Sequence, residues 1–170
     1  MRNRTIEAYL ADLASPHPVP GGATGAALHA AQGAALVAMV ARRSDGGAAP
    51  ADVVVRIRER GDALREVALD LADADAGAVA IRVLEVTEEL LTLAETLRPL
   101  TVRAVAPGVA AAAEALRAAA GTARVTVEVD LVDRTEPTAR EELLEAVDHV
   151  DDLVLRAAKV TAAVREQIVR

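Results

Sequence analysis

The chain has 170 residues, no cysteine, a single tyrosine as its only aromatic residue, and a formal net charge of −7. Its length suits one domain. The missing thiols exclude disulfides and thiolate-bound zinc, and the negative balance supplies no field for gathering phosphate backbones, which argues against a nucleic-acid partner.

The apolar share of 52% is met mainly by Ala, Val and Leu. No window reaches the roughly 18 uninterrupted apolar residues of a membrane span. Gly21 to Ala41 comes nearest and is expected to be a buried helix, so no membrane partner is expected. The amino terminus, MRNRTIEAYLADL, carries Glu7 and Asp12 where a signal peptide needs an unbroken apolar core. A cytoplasmic protein is expected.

In chain order, Thr5 to Leu13 places Ile6, Tyr9, Leu10 and Leu13 on one helical stripe. Pro16, Pro18 and Pro20 stop that helix. A second helix begins near Gly22 and ends at Arg42 and Arg43, cations suited to the carboxyl end of the dipole. After the loop SDGGAAP, Pro50 opens a third helix carrying Val54, Ile57, Leu64, Val67 and Leu71 at helical spacing. Gly77 is the only breaker before Leu97, so residues 51–98 read as one helix or two. Pro99 and Pro107 end the run. Ala106 to Ala120 is helical by its alanines, with Gly121 as a stop or a close contact. Val125, Val127, Val129 and Leu131 alternate with polar residues as a half-buried strand does. Thr138 and Glu141 form a capping box. It opens a last helix striped by Leu143, Val147, Val150, Val154, Ala157, Val164 and Ile168.

The stretch LASPHPVPGGATGAALHAAQGAALVAMVA resembles the cyclodeaminase/cyclohydrolase family, which includes formiminotransferase-cyclodeaminase and methenyltetrahydrofolate cyclohydrolase. DADAGA, from Asp73 to Ala78, looks like the family's D-A-x-A stretch, and PGVAAAAEALRAAAGTARVTVEVDL looks like its late alanine-rich helix. The resemblance implies an all-α fold, an antiparallel bundle of long helices assembled as a homodimer, in which Val125 to Leu131 is helical. It further implies a tetrahydrofolate derivative as substrate, held near where subunits meet.

The sequence departs from the family pattern at several points, as a shortened and divergent member would. Ala23 and Thr24 stand where a third glycine and a serine are usual, and Val105 with Ala106 replaces a Ser-Asp pair. Thr126 and Asp130 replace two asparagines. A middle segment with a Leu-Pro-Lys stretch is expected to be missing.

The residues themselves suggest a site. Proline fixes the approach to the second helix, and Gly21 and Gly22 permit close approach to the backbone. The free amides at that helix start favour a small anion, such as a folate carboxylate. Pro20, Gly21, Gly22, Thr24, His29, Gln32 and Thr126 are the ligand-binding candidates. His29 and Gln32, three apart on one helix face, are expected to be buried and therefore hydrogen-bonded. Forming or opening a one-carbon bridge needs proton transfer. Asp75 and Asp130 are the catalytic candidates, ahead of Asp73 and His17, and Tyr9 is the one ring available for stacking. Three scattered histidines make a poor metal set, and none is expected. Folate chemistry of the cyclodeaminase or cyclohydrolase type leads. An inactive or repurposed small-molecule-binding dimer and a structural helical partner are the alternatives.

Overall fold

The computed structural model describes residues 2–16, 20–44, 50–74 and 79–169. Seven α-helices lie among them: α1 (Ile6–Leu13), α2 (Gly22–Ser44), α3 (Ala51–Asp73), α4 (Val79–Leu97), α5 (Ala106–Asp133), α6 (Pro137–Asp148) and α7 (Val150–Val169), with a 3₁₀ turn at Arg98–Leu100. No strand occurs among the described residues. The fold is an antiparallel bundle of long helices.

At its centre α2 packs against α3, α4 and α5, and α5 packs in turn against α4 and α7. Bulk explains why α2 takes this place. Ala26, Ala27, Ala30, Ala34, Ala38 and Ala41 are fully buried and let neighbouring backbones come close. Leu84, Leu90, Leu91, Leu97, Leu116 and Leu153 provide the large side chains that fill the space between helices. By length and composition α2 could cross a membrane. Here its apolar surface is spent on other helices instead.

Three glycines record the register of α2 against α5. A Cβ on Gly33 would stand 2.6 Å from Leu116 Cδ2, one on Gly108 would stand 2.6 Å from Val40 Cγ2, and one on Gly22 would stand 3.3 Å from Thr126 Oγ1. As residue numbers rise along α2 they fall along α5, so the two helices run antiparallel at a separation that only a missing side chain allows.

Several expectations change on folding. The third and fourth helices are separate, since α3 ends at Asp73 and α4 starts at Val79. Gly121 does not stop α5, which runs to Asp133, and a Cβ there would meet nothing within 4 Å. The alternating valines lie within this helix. Val127 is fully buried, whereas Val125 and Val129 are 58% and 59% exposed. Residues that share one face of a strand fall on opposite faces of a helix, and the local β preference yields to packing.

The predicted last helix is two. His149 separates α6 from α7, and the new helix starts with the Leu153 amide donating to the His149 carbonyl at 3.2 Å. Thr138 is not the cap of α6. Proline suits the first helical position, which moves the cap one residue upstream of it. The Glu136 carboxylate accepts from the amides of Thr138 and Ala139 at 3.2 and 2.6 Å. Arg156 of α7 then grips Glu95 of α4 through Nε and Nη2 at 2.9 and 2.8 Å.

α1 forms as expected, but its stripe is not covered. Ile6, Leu10 and Leu13 are 79%, 53% and 43% exposed. The amino-terminal segment is tied to α3 mainly by Arg2, which pairs with Glu66 and reaches Asp70 Oδ1 at 2.6 Å.

The Glu136 cap sets a pH dependence. Bonds from the Ala139 and Thr138 amides hold its carboxyl below the usual carboxylate range. Its folded value is therefore lower than the roughly 4.3 of an unfolded glutamate. The stabilisation is present above that value and is lost as pH falls through the folded value. Glu136→Ala is expected to melt below the parent at pH 7, with the gap closing in acid, as read by circular dichroism.

Candidate functional site

The site grows from the start of α2. Pro20 is buried, Gly21 half-buried and Gly22 exposed. The Gly21 carbonyl accepts the Gly25 amide at 3.0 Å, the first bond of the helix. The amides of Gly22, Ala23 and Thr24 precede that bond and have no carbonyl one turn back within the helix. They form its positive end. Thr24 is half-buried beside them.

Across from Gly22 stands Thr126 of α5, near enough that a Cβ on the glycine would lie 3.3 Å from its hydroxyl oxygen. That hydroxyl donates to the Thr122 carbonyl at 3.1 Å, which leaves its lone pairs as acceptors. Two ligand-binding candidates far apart in sequence are thus neighbours.

One turn further along α5, Asp130 lines a cleft of about 230 Å³. Val127 of the same helix and Arg134 just past its end line it too, with Ala80 and Ile81 of α4 and Ala139, Glu142 and Leu143 of α6. An adjoining cleft of about 330 Å³ shares Ile81 and Glu142 and ends at His149. The glycine turn and the Asp130 cleft follow one another along α5 and are not one closed chamber. Composition gave no sign of Arg134, Glu142 or His149. Arg134 is legible as the residue four after Asp130, but the α6 residues join the site only through the turn at residues 134–136.

The other candidates separate. Asp75 and His17 lie outside the described residues. Asp73 is exposed at the end of α3. His29 is half-buried and Gln32 exposed, so the expected buried polar pair is not formed. On one side of α2, Gly25, His29, Gln32 and Leu36 follow one another at three- and four-residue steps, all exposed or half-buried among the described residues. Tyr9 lines a different cleft, of about 370 Å³, with Arg2, Arg4, Leu28 and Leu69. It therefore lends no ring to Asp130. Among the described residues no group of three or more His, Asp or Glu side chains is placed to hold a metal ion.

Comparison with known proteins finds a likeness in the first half of the chain. The sequence model of the family described as formiminotransferase-cyclodeaminase matches residues 5–81. Residues 5–81 are thus similar to the corresponding part of that family. The match takes in the glycine turn and both α4 residues of the cleft, and stops before Thr126, Asp130 and Arg134. No curated protein matches the chain.

The fold extends the likeness to the rest. The crystal structure of formiminotetrahydrofolate cyclodeaminase from Thermotoga maritima superposes with a TM-score of 0.87 at 21% identity, covering 99% of each chain. Against this cyclodeaminase no middle segment is missing, which corrects the expectation of a shortened chain. The late alanine-rich helix of the cyclodeaminase pattern is α5, helical through Val125 to Leu131 as the resemblance implied.

Proposed function

We propose that the protein is a one-carbon tetrahydrofolate enzyme of the cyclodeaminase or cyclohydrolase type, acting as a single-domain cytoplasmic protein. The observation that carries this reading is the pairing of Gly22 with Thr126. It sets the glycine turn of the family segment one helical turn from a carboxylate, Asp130, that faces a cleft.

In this reading Asp130 moves the proton. Closing a formimino group onto the neighbouring exocyclic nitrogen forms one C–N bond and breaks another, and the departing nitrogen takes up protons to leave as ammonia. Hydrating a methenyl bridge requires a proton to be drawn from water as its oxygen bonds to carbon. A carboxylate serves either step when it stands within hydrogen-bond reach. Thr126 and the α2 amides orient polar atoms of the ligand, while Val127, Ile81 and Leu143 exclude water from one wall.

Mixing the protein with formiminotetrahydrofolate should release ammonia as methenyl absorbance rises, or added methenyltetrahydrofolate should decay faster than in buffer. Neither change, together with no thermal shift at ligand concentrations where 100 times the dissociation constant would stabilise by about 2.7 kcal/mol, refutes the reading.

A homodimer belongs to the same proposal. Val125, Val129 and Val132 are 58%, 59% and 82% exposed on one stripe of α5, and on α2 His29 is half-buried and Gln32 exposed. A second copy would cover both faces and bring its surface against the glycine turn. Val129→Glu is expected to halve the mass seen by light scattering, and an unchanged mass rejects this interface.

A further inference from the structure

The geometry points to Arg134 as the residue that anchors the carboxylate end of an elongated ligand whose N–H-rich end lies towards Asp130; this rests on the folate reading above and assigns it a direction. Thr126 and Asp130 of α5 and Arg134, the residue that caps its end, recur at four-residue steps, a hydroxyl, a carboxylate and a guanidinium in sequence. Eight residues of helix span about 12 Å. The row therefore runs from the glycine turn to the far mouth of the cleft.

Charge orders a ligand along that row. The lining of the cleft holds two carboxylates, Asp130 and Glu142, and one cation, Arg134. None of the three makes an ion pair among the described residues, although Arg2, Arg4, Arg42, Arg60, Arg124 and Arg156 all do. An unpaired guanidinium beside an apolar floor of Val127, Ile81 and Leu143 keeps its planar fork free for a two-pronged bond to a carboxylate. The two acids repel an anion everywhere else in the cleft and accept N–H donors. A ligand negative at one end and rich in N–H groups at the other is thereby held in one orientation.

A competing anchor exists at the start of α2, whose amides carry about half a positive charge between them. Arg134 carries a whole charge and is not covered by Thr126. The two are separated by experiment. Dissociation constants are measured by calorimetry for methenyltetrahydrofolate and for its analogue with both glutamate carboxylates converted to amides, against the parent chain, Arg134→Gln and Arg134→Lys.

Arg134→Gln is expected to weaken the carboxylate form by about tenfold or more and the amide form by less than about twofold, with Arg134→Lys in between and the salt dependence of the carboxylate form flattened. Equal weakening of both forms, or none, overturns the assignment to Arg134 and leaves the folate reading standing, with the α2 amides as the anchor. If the parent chain binds neither form, the folate reading fails and this inference falls with it. Arg134 is exposed at the end of α5, so matching melting curves for the three proteins certify that they are folded.

Discussion

Asp130→Asn is expected to lower turnover of a one-carbon tetrahydrofolate by about 10²- to 10⁴-fold, the usual worth of a positioned acid or base. Asparagine keeps the size and hydrogen-bonding shape of the side chain and removes only its capacity to exchange a proton. Ligand affinity should stay within about threefold and stability within about 0.5 kcal/mol, as for surface substitutions elsewhere. That split between turnover and binding is what distinguishes chemistry from packing. Glu145→Gln, which alters the adjoining cleft, should leave turnover unchanged. If Asp130→Asn retains full activity while the parent chain is active, the proton is handled elsewhere, and Asp75 is the next residue to replace.

The helices were largely legible because their signals are local. Apolar spacing, prolines and terminal arginines place α1, α2 and the starts of α3 and α5 to within a residue or two without reference to anything distant. What was not legible depends on contacts between distant segments. The stripe of α1 looks like a core face, yet among the described residues no helix covers Ile6 and Leu10. Val125 and Val129 look like strand residues because their alternation is real; only the burial of Val127 between helices decides the matter. His29 and Gln32 were expected inside because α2 is apolar around them, but a central helix still has one uncovered side. Of the site, the glycine turn and Asp130 could be named from sequence. Their adjacency could not, because it follows from the antiparallel register of α2 and α5, and the α6 wall of the cleft depends on a cap at Glu136 that the Thr138 capping box had obscured.

That register is open to direct test, because Gly33→Ala should destabilise the fold even though alanine is the better helix former by roughly 0.5–1 kcal/mol. The new methyl would stand 2.6 and 2.8 Å from Cδ2 and Cγ of Leu116, a side chain with no exposed surface into which to withdraw. Overpacking of this kind costs about 1–3 kcal/mol, which outweighs the propensity gain. Leu116→Ala alone leaves a cavity and should cost about 2–5 kcal/mol. Joined, the two changes should not add. The methyl on residue 33 enters space that Leu116 has vacated, so the double variant is expected to be more stable than the sum by about 0.5–3 kcal/mol in urea titrations. Additivity within about 0.5 kcal/mol would show that Gly33 does not seat Leu116. The effect should also reach the site. Gly22 lies three turns up the same helix from Gly33, so a chain in which α2 is pushed from α5 loses the contact between Gly22 and Thr126. The single Gly33→Ala variant should therefore bind ligand more weakly than the parent at temperatures where both are folded, and the double variant should recover part of that loss.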